Sequence, residues 1–387
     1  MHIAIVGGKL QGTEAAYLAN KAGWEVTLID KRAQPPAKGL CHHFRHLDVC
    51  REGGFQAAVK NLDAIVPALE DRSALQALSI HCRDLDVPLI FDKKAYQISS
   101  SKLRSNALFH QTGMRMPAEW PDCGFPMIAK PSQASGSHGV CMLMDINDYN
   151  AFRSRVSDDD SDWVLQKYLD GPSYSLEVIG RNGHYVPFQI TELEMDENYD
   201  CKKVIVPSTL TGDLKNGFNT MAVTLASAMG LDGIMDVEVI LNDGQLFVLE
   251  IDARLPSQTP TAVLWSSGRN LLELLWEMIS GTPPDTKMPA NPRCVIYEHI
   301  HVMPQRLEMA GEHLMADPGP LHVVADFFGA DEALTNYVDG KEDWVATLIT
   351  TDSARAGVHT KRNTVLTSIC QRFGIEHVKD STPCPMI

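Results

Sequence analysis

Apolar and polar positions in the first quarter of the chain switch repeatedly between the two-residue period of a strand and the longer period of a helix. The strand-like segments cover residues 2–6, 25–29, 46–49, 64–66 and 89–91. The helix-like segments between them cover residues 11–22, 54–60 and 72–85. Strands that alternate with helices favour a parallel sheet covered by helices, so this part is predicted to be a Rossmann-like domain.

The pattern changes after this region. A helical hairpin is predicted over residues 93–112, and strands are predicted over 127–130, 140–144 and 163–169. Further antiparallel strands are then mixed with helices at residues 219–228 and 270–279. The predicted fold class is therefore mixed α/β, with domains at residues 1–97, 98–169 and 170–387.

Composition and charge limit the range of partners. The chain has 387 residues, 44% of them hydrophobic, and a formal net charge of −15. A field of this sign repels nucleic acid and anionic membranes, and no apolar run is long enough to span a bilayer. The nine cysteines include no CxxC pair, and the first residues lack a signal-peptide pattern, so a cytoplasmic protein with reduced thiols is predicted.

A glycine-rich turn, Gly7-Gly8-Lys9-Leu10-Gln11-Gly12, joins the first predicted strand to the first helix, and Asp30 ends the second strand. Such a turn allows a ligand to approach the backbone closely, and the start of a helix favours anions. The GGxxxG spacing differs from the GxGxxG of nicotinamide enzymes. Simple strand–turn–helix packing, a nicotinamide site and another nucleotide or small-molecule contact all remain open.

A second candidate for phosphate binding begins at Lys130, which closes a predicted strand. The small residues that follow, 132–139, offer many backbone N–H groups that can surround phosphate oxygens, with the lysine as a point charge. An ordinary hairpin turn explains the same pattern. No GxxxxGK[ST] motif occurs, which argues against a P-loop NTPase.

The strongest local signal is a predicted hairpin over residues 236–252 with an Asn-Asp-Gly turn. If its loop has an odd number of residues, one face carries apolar side chains and the other carries four carboxylates. The apolar face is predicted to hold Val237, Val239, Leu241, Phe247, Leu249 and Ile251, and the acidic face Asp236, Glu238, Glu250 and Asp252, with Ile240 and Val248 beside them.

Carboxylates this close raise one another's pKa, and a divalent cation such as Mg²⁺ relieves the repulsion. The alternative is an acidic strand pair that faces solvent.

Two further segments are candidates for ligand binding. The polar run from Arg254 to Thr261 follows the acidic hairpin and is suited to binding a carboxylate or acyl phosphate. The cluster Cys41-His42-His43-Phe44-Arg45-His46 contains metal-binding residue types. No second cluster has a matching spacing, so ordinary loop or ring-stacking roles are favoured for it.

In this order, the motifs resemble those of the ATP-grasp carboxylate–amine ligases, over nearly the whole chain. Residues 7–17, 197–201, 233–238, 250–261 and 297–299 are similar to the branch of this family that acts in pyrrolysine biosynthesis. The resemblance implies an ATP-grasp fold with an N-terminal Rossmann-like lobe, a small lid lobe and a larger C-terminal lobe.

The resemblance also implies roles for individual residues. ATP would be bound by Lys9, Asp30, Asp48, Val49, Lys102, Lys130, Ser135, Gly136, Ser137, Gln166, Lys167 and Leu169. The amino-acid substrates would be bound by Leu10, Gln11, Glu70, Ser175, Leu176, Glu177, Asp236, Arg254, Ser257, Gln258, Thr259 and Thr261. Mg²⁺, as two ions, would be bound by Glu238, Glu250 and Asp252. Arg254 and Lys130 would be catalytic.

By the same resemblance, ATP would convert the carboxylate of 3-methyl-D-ornithine, or D-ornithine, to an acyl phosphate, which the ε-amine of L-lysine would attack. The family often has acidic residues where this chain has Gln166 and Lys167, and Asn where it has Asp252. Three alternatives remain: a ligase for another amino acid or amine, a nicotinamide-dependent dehydrogenase and a non-catalytic amino-acid-binding protein. The oligomeric state is left open, with a homodimer as one option.

Overall fold

The computed structural model describes residues 1–51, 53–134, 136, 139–156, 162–282, 287 and 289–383. The chain divides into two compact units. The larger unit comprises Met1–Phe91, Leu193–Ser208 and Leu255–Pro383, and the smaller unit comprises Asp92–Glu192 and Thr209–Arg254. The predicted division into three domains stays a prediction.

The strands are β1 (His2–Val6), β2 (Glu25–Asp30), β3 (His43–His46), β4 (Ala64–Pro67), β5 (Met127–Pro131), β6 (Cys141–Leu143), β7 (Trp163–Lys167), β8 (Ser173–Arg181), β9 (His184–Pro187), β10 (Thr191–Met195), β11 (Cys201–Val206), β12 (Gly233–Asn242), β13 (Gln245–Asp252), β14 (Cys294–Met303), β15 (Arg306–Met309), β16 (His322–Ala325), β17 (Glu332–Thr335), β18 (Trp344–Asp352) and β19 (His377–Asp380).

The helices are α1 (Leu10–Lys21), α2 (Phe55–Val59), α3 (Arg72–Leu85), α4 (Lys93–Ser99), α5 (Lys102–Gln111), α6 (Ile146–Arg155), α7 (Gly212–Met229), α8 (Thr259–Ser267), α9 (Leu271–Ser280) and α10 (Arg355–Phe373). Within the described ranges, no helix has both the length and the hydrophobicity that a membrane span requires.

The larger unit begins with a four-stranded parallel sheet in the order β3-β2-β1-β4. Beyond their first residues, His2 and Glu25, the central strands β1 and β2 are buried, and most of their side chains are apolar on both faces, as is usual for parallel strands covered by helices. The predicted Rossmann-like architecture is confirmed. The remaining strands of this unit include the antiparallel series β11-β14-β18-β17-β16, and α10 packs against β14 and β18.

Two strand predictions in this region are wrong. The third strand is His43–His46 rather than 46–49. Backbone pairing with β2 determines where this strand lies, and its side chains lack the apolar alternation by which a strand is recognised in a sequence. Residues 48–51 instead form a turn, in which the backbone N–H of Arg51 donates to the carbonyl oxygen of Asp48. Residues 89–91 form only an isolated bridge, between Leu89 and Ile65.

The smaller unit begins with the predicted helical hairpin, now resolved as α4 and α5. The Asp92 side chain caps α4 by accepting hydrogen bonds from the backbone N–H groups of Lys94 and Ala95. A three-stranded antiparallel sheet follows in the order β6-β5-β7. The strands β13, β12, β8 and β9 then pair in sequence, and α7 packs against β8 and β9. The mixed α/β prediction is confirmed.

Candidate active site

The predicted acidic hairpin forms from β12 and β13, with Asp236 paired to Asp252 and Glu238 paired to Glu250. Directly opposed residues share a face, so these carboxylates lie together as predicted. The turn leaves two residues, Asp243 and Gly244, between the last paired positions. That number is even, which by itself would separate the acids onto opposite faces.

A register shift between Glu238 and Val239 restores the common acidic face. The shift leaves one extra residue, Leu249, between the partners of these two positions. The predicted apolar face is wrong in detail because of it. Val248 lies in the core instead of beside the acids, whereas Phe247 pairs with Ile240 and does not join that core.

The acidic face continues onto β8, whose register places Glu177 opposite Asp236 and Ser175 opposite Glu238. The side chains of Glu177 and Ser175 are almost completely buried. Leu176, between them, points to the opposite face and packs in the hydrophobic core, so only its backbone is available to a ligand.

Burial and mutual repulsion make this face electrostatically unfavourable when it holds no cation. Burial, followed by the nearby Asp252, raises the pKa of Asp236 well above its usual value. Burial and the opposing Glu250 raise the pKa of Glu238 to about 7. Among the described residues, Asp236 Oδ1 has no hydrogen-bond partner. The oxygen-only donor set therefore fits a hard divalent cation.

Two lysines lie next to the carboxylates. Lys102, at the start of α5, donates to Glu250 Oε1 at 2.7 Å and to the carbonyl oxygen of Ala134 at 2.7 Å. Burial lowers the pKa of Lys102, but Glu250, Asp252 and Glu238 outweigh it, so the net pKa is raised. Burial lowers the pKa of Lys130, on β5, despite the nearby Glu250. The ammonium groups of Lys102 and Lys130 therefore lie beside the acidic face.

Arg254 follows β13 and forms an ion pair with Asp252, with Nη2 and Oδ2 2.9 Å apart. Asp252 therefore already has a cationic partner, which distinguishes it from Asp236.

The predicted nucleotide contacts are only partly described. Gly136 is exposed with a φ of +58°, whereas Ser135 and Ser137 lie outside the described residues. On β7, Gln166 is buried and pairs with Ile128, and Lys167 is exposed. Leu169 follows the strand and is partly buried.

The glycine-rich turn of the larger unit is built around Asp30. The backbone N–H of Gly8 donates to Asp30 Oδ2 at 2.6 Å, and Arg32 Nη2 donates to the same atom at 2.8 Å. Burial raises the pKa of Asp30, but these hydrogen bonds outweigh it and the net pKa is lowered. Gly7 has a φ of +100°, and a Cβ there would lie 2.4 Å from the carbonyl oxygen of Ala68, so only glycine fits.

The other predicted residues of this region lie in the glycine-rich turn itself or in the turn that follows β3. Lys9 forms an ion pair with Asp317 at 2.8 Å. Asp48 is partly exposed, and Val49 is buried in the hydrophobic core.

Two of the residues predicted to bind the substrate L-lysine contact each other in the larger unit. Gln11, in the first turn of α1, donates from Nε2 to Glu70 Oε1 at 2.9 Å. Leu10 precedes Gln11 and packs on the apolar cluster of Met315, Leu321 and Val345.

The polar loop at 257–261 is held by two carboxylates that the sequence did not single out. Ser257 Oγ and Gln258 Nε2 both donate to Glu312 Oε2, at 2.6 and 2.8 Å. The backbone N–H of Thr261 donates to Glu14 Oε1 at 2.6 Å. Both acids are distant in sequence from the loop, so no local motif could have identified them.

The first turn of α8, which continues this polar segment, carries buried hydroxyl groups. Within the described ranges, Oγ1 of Thr259 and Oγ1 of Thr261 have no hydrogen-bond partner. Buried polar atoms of this kind are rare, so these hydroxyls are available to a polar ligand.

Comparisons with known proteins identify the family of the chain. Residues 99–258 match the ATP-grasp domain family. A protein of Methanosarcina acetivorans named 3-methyl-D-ornithine–L-lysine ligase is 33% identical over 96% of this chain and 98% of its own length. A protein of the same name from Methanosarcina mazei is 36% identical over 77% of each chain.

Solved structures support the same fold. The N5-carboxyaminoimidazole synthetase of Staphylococcus aureus, solved with ADP, aligns with a TM-score of 0.68 and 18% identity, over 95% of this chain and 96% of its own. The L-amino acid ligase of Bacillus licheniformis aligns with a TM-score of 0.69 and 14% identity, over 95% and 97%. The chain therefore belongs to the ATP-grasp ligases, in the family of the 3-methyl-D-ornithine–L-lysine ligases.

Proposed function

We propose that the protein joins the carboxylate of 3-methyl-D-ornithine, or of D-ornithine, to the ε-amine of L-lysine at the expense of ATP, in pyrrolysine biosynthesis. The observation that carries this proposal is the facing pair Glu238–Glu250 with the Lys102 ammonium 2.7 Å from Glu250. Such a grouping suits a metal-bound polyphosphate, and the names of the relatives suggest the substrate pair.

Glu238, Glu250 and Asp252 would hold Mg²⁺, as two ions. The fit rests on their carboxylate oxygens and on the raised pKa of Glu238, both of which favour a divalent cation. Bound Mg²⁺ would supply positive charge to the phosphate oxygens of ATP. Two of these carboxylates already have a cationic partner, because Asp252 pairs with Arg254 and Glu250 pairs with Lys102, so a bound cation would share them with these side chains.

Lys102 and Lys130 would bind the phosphates of ATP, with residues 135–137 around them and Gln166, Lys167 and Leu169 along the adenosine. Their support is the position of both ammonium groups beside the metal acids. A separate nucleotide contact by Lys9, Asp30, Asp48 and Val49 remains part of the proposal. To contact a nucleotide, Lys9 would have to give up its ion pair with Asp317, and Asp30 its ion pair with Arg32.

The ornithine-type substrate would be recognised through opposite charges. Glu177 and Asp236 are buried acids on adjacent strands and suit its ammonium groups, with Ser175 and the backbone of Leu176 beside them. Its carboxylate is a suitable ligand for Arg254 in the smaller unit and, separately, for the hydroxyl, amide and backbone groups of Ser257, Gln258, Thr259 and Thr261 in the larger unit. A guanidinium is a strong donor to a carboxylate.

The reaction would proceed in two transfers. A carboxylate oxygen of the D-amino acid attacks the γ-phosphorus of ATP, and ADP leaves, which gives an acyl phosphate. The neutral ε-amine of L-lysine then attacks the acyl carbon, inorganic phosphate leaves, and the amine gives up a proton. Lys130 and Arg254 would act on the charge that develops on the phosphoryl and carboxylate oxygens.

A phosphate-release assay with product mass analysis tests the proposal. Phosphate release should require ATP, a D-ornithine-type acid and L-lysine together, and the product mass should equal the sum of the two amino acids minus water. Faster release with a different acid–amine pair would assign the protein to that pair instead.

Leu10, Gln11 and Glu70 are proposed to bind the substrate L-lysine, and this role can be tested by mutation. Replacing Glu70 by Ala removes the acceptor of the Gln11 hydrogen bond, so the KM for L-lysine should rise about tenfold, equivalent to about 1.4 kcal/mol, while the KM for ATP stays nearly unchanged. L-Ornithine, one methylene shorter, should be a poor amine because it misplaces the nucleophile.

Steady-state assays that vary lysine at saturating ATP measure this effect, and Glu376→Ala, an exposed acid in the same unit, is the matched control. An unchanged lysine KM in Glu70→Ala, or equal use of L-ornithine, would remove these residues from the amine site.

Glu312 is proposed as a positioning residue for the loop at 257–261. Glu312→Ala removes the acceptor shared by Ser257 and Gln258 and should raise the KM for the D-amino acid about tenfold, with a smaller change in KM for ATP. Glu312→Gln, which keeps an acceptor oxygen, should recover part of the loss. Equal changes in all KM values, with no recovery by Gln, would indicate a general structural role instead.

The proposal also includes a cytoplasmic location, and the oligomeric state stays open, with a homodimer as one option. The free thiols of the described cysteines are consistent with a reducing compartment. Light scattering on the purified chain would establish its oligomeric state.

A further inference from the structure

Three side chains from separate strands meet at one end of the parallel sheet in the larger unit. His2 on β1 pairs directly with Glu25 on β2, and His43 on β3 pairs with Thr27, two residues further along β2. Because residues two apart on a strand share a face, His2, Glu25 and His43 project from the same side of the sheet. This group is called the His–Glu–His cluster below.

The potential ligand atoms of the cluster are close together. His43 Nε2 lies 2.7 Å from Glu25 Oε1, and His2 Nδ1 lies 3.7 Å from Glu25 Oε2. The three side chains together provide one ligand atom each within 4.8 Å of one another. His43 and Glu25 are exposed, so an ion can reach them from solvent.

A further contact orients one of the imidazoles. His2 Nε2 lies 2.8 Å from Oγ1 of Thr27, a residue that is almost completely buried. When Nε2 donates this hydrogen bond, the lone pair of the neutral ring is on Nδ1, the nitrogen nearest Glu25. Metal-binding histidines commonly have their second nitrogen held in this way. The backbone of His2 is also fixed, because its N–H donates to Asp63 Oδ2 at 2.7 Å.

We propose that the His–Glu–His cluster is a binding site for a transition metal of the Zn²⁺ class. Two imidazoles and one carboxylate form a ligand set that zinc accepts and that Mg²⁺ does not prefer. Three protein ligands leave a fourth position for water. The bound ion would link β1, β2 and β3, so its effect would be on the stability of the sheet.

This site is chemically distinct from the carboxylate site on β12 and β13. The sequence indicated His43 within the segment 41–46 but could not reveal the whole site, because its ligands are single residues from three strands, with no short spacing between them. The competing explanation is that the two histidines, when protonated, form only ion pairs with Glu25.

Calorimetric titration of the full chain with Zn²⁺ in excess Mg²⁺ tests the proposal, since Mg²⁺ saturates oxygen-only sites. We expect one Zn²⁺ bound per chain and a raised melting temperature. His43→Ala and, independently, His2→Ala should each weaken Zn²⁺ binding at least about tenfold. His46→Ala is the matched control, because His46 lies on the same strand and its Nε2 contacts the carbonyl oxygen of Lys31.

Cobalt substitution separates this site from binding by cysteine. Co²⁺ at the cluster should give visible bands that His43→Ala abolishes, without the near-ultraviolet charge-transfer band of a thiolate ligand. The proposal is overturned if Zn²⁺ does not bind, if both histidine variants bind it as tightly as the unmodified chain, or if the cobalt spectrum shows thiolate ligation.

Discussion

Replacing Glu238 by Gln is expected to reduce turnover by at least about 100-fold, which corresponds to about 2.7 kcal/mol of barrier, and to weaken Mg²⁺ binding. Glu250→Gln should have the same effect, because the two carboxylates are directly paired across β12 and β13. Steady-state kinetics and Mg²⁺ titration measure the two losses.

The same substitution should stabilise the metal-free protein. The pKa of Glu238 is about 7 in the fold, against a usual value of 4.5, so ionisation costs the folded state more than the unfolded one. Stability should therefore fall as the pH rises from about 4.5 through 7, and Glu238→Gln should remove about 1–3 kcal/mol of that loss. Melting temperatures across this pH range give the comparison.

Asp243→Asn is the matched control for both effects. Asp243 is an exposed acid in the turn of the same hairpin, and its φ of +48° suits Asn. Its replacement removes one negative charge without affecting the acidic face. Near-normal turnover in Glu238→Gln, or unaltered turnover of the unmodified chain in excess chelator, would rule out the proposed metal site.

Lys130→Ala should lower kcat/KM for ATP at least about tenfold, equivalent to about 1.4 kcal/mol, because a positive charge next to Glu250 and Glu238 is lost. Lys102→Ala should act similarly and should also release Glu250 from its ion pair. Nucleotide affinity, measured by calorimetry, should fall in both variants.

Lys215→Ala provides the control for these lysines, since Lys215 is an exposed lysine on α7 in the same unit. If both Lys102→Ala and Lys130→Ala keep ATP affinity and rate within about twofold, which is less than roughly 0.5 kcal/mol, these lysines do not bind the phosphates.

The structure of the acidic hairpin could be predicted only in part from the sequence. Strand alternation was sufficient to predict that Asp236, Glu238, Glu250 and Asp252 share a face. It could not predict that a two-residue turn and one extra residue at Leu249 compensate for each other. A bulge depends on packing against the neighbouring strand and leaves little trace in the hydrophobic pattern.

Contacts between distant segments were not predictable either. Glu312 lies 54 residues beyond Gln258 and is brought to it only by the fold of the larger unit. The third strand, His43–His46, was misplaced because its edge position depends on pairing with β2 rather than on apolar side chains. Local patterns therefore identified the buried strands and the charged motifs, whereas edge strands and long-range anchors required the structure.

An isotope-transfer experiment tests the central claim most directly, because it follows the oxygen that acyl phosphate formation must move. The protein would be incubated with ATP, L-lysine and D-ornithine, or its 3-methyl form, labelled with ¹⁸O in the carboxylate. The account predicts one ¹⁸O atom in each phosphate released, together with the amide product. Release of unlabelled phosphate with formation of the same product would show that the carboxylate is not phosphorylated and would contradict the account.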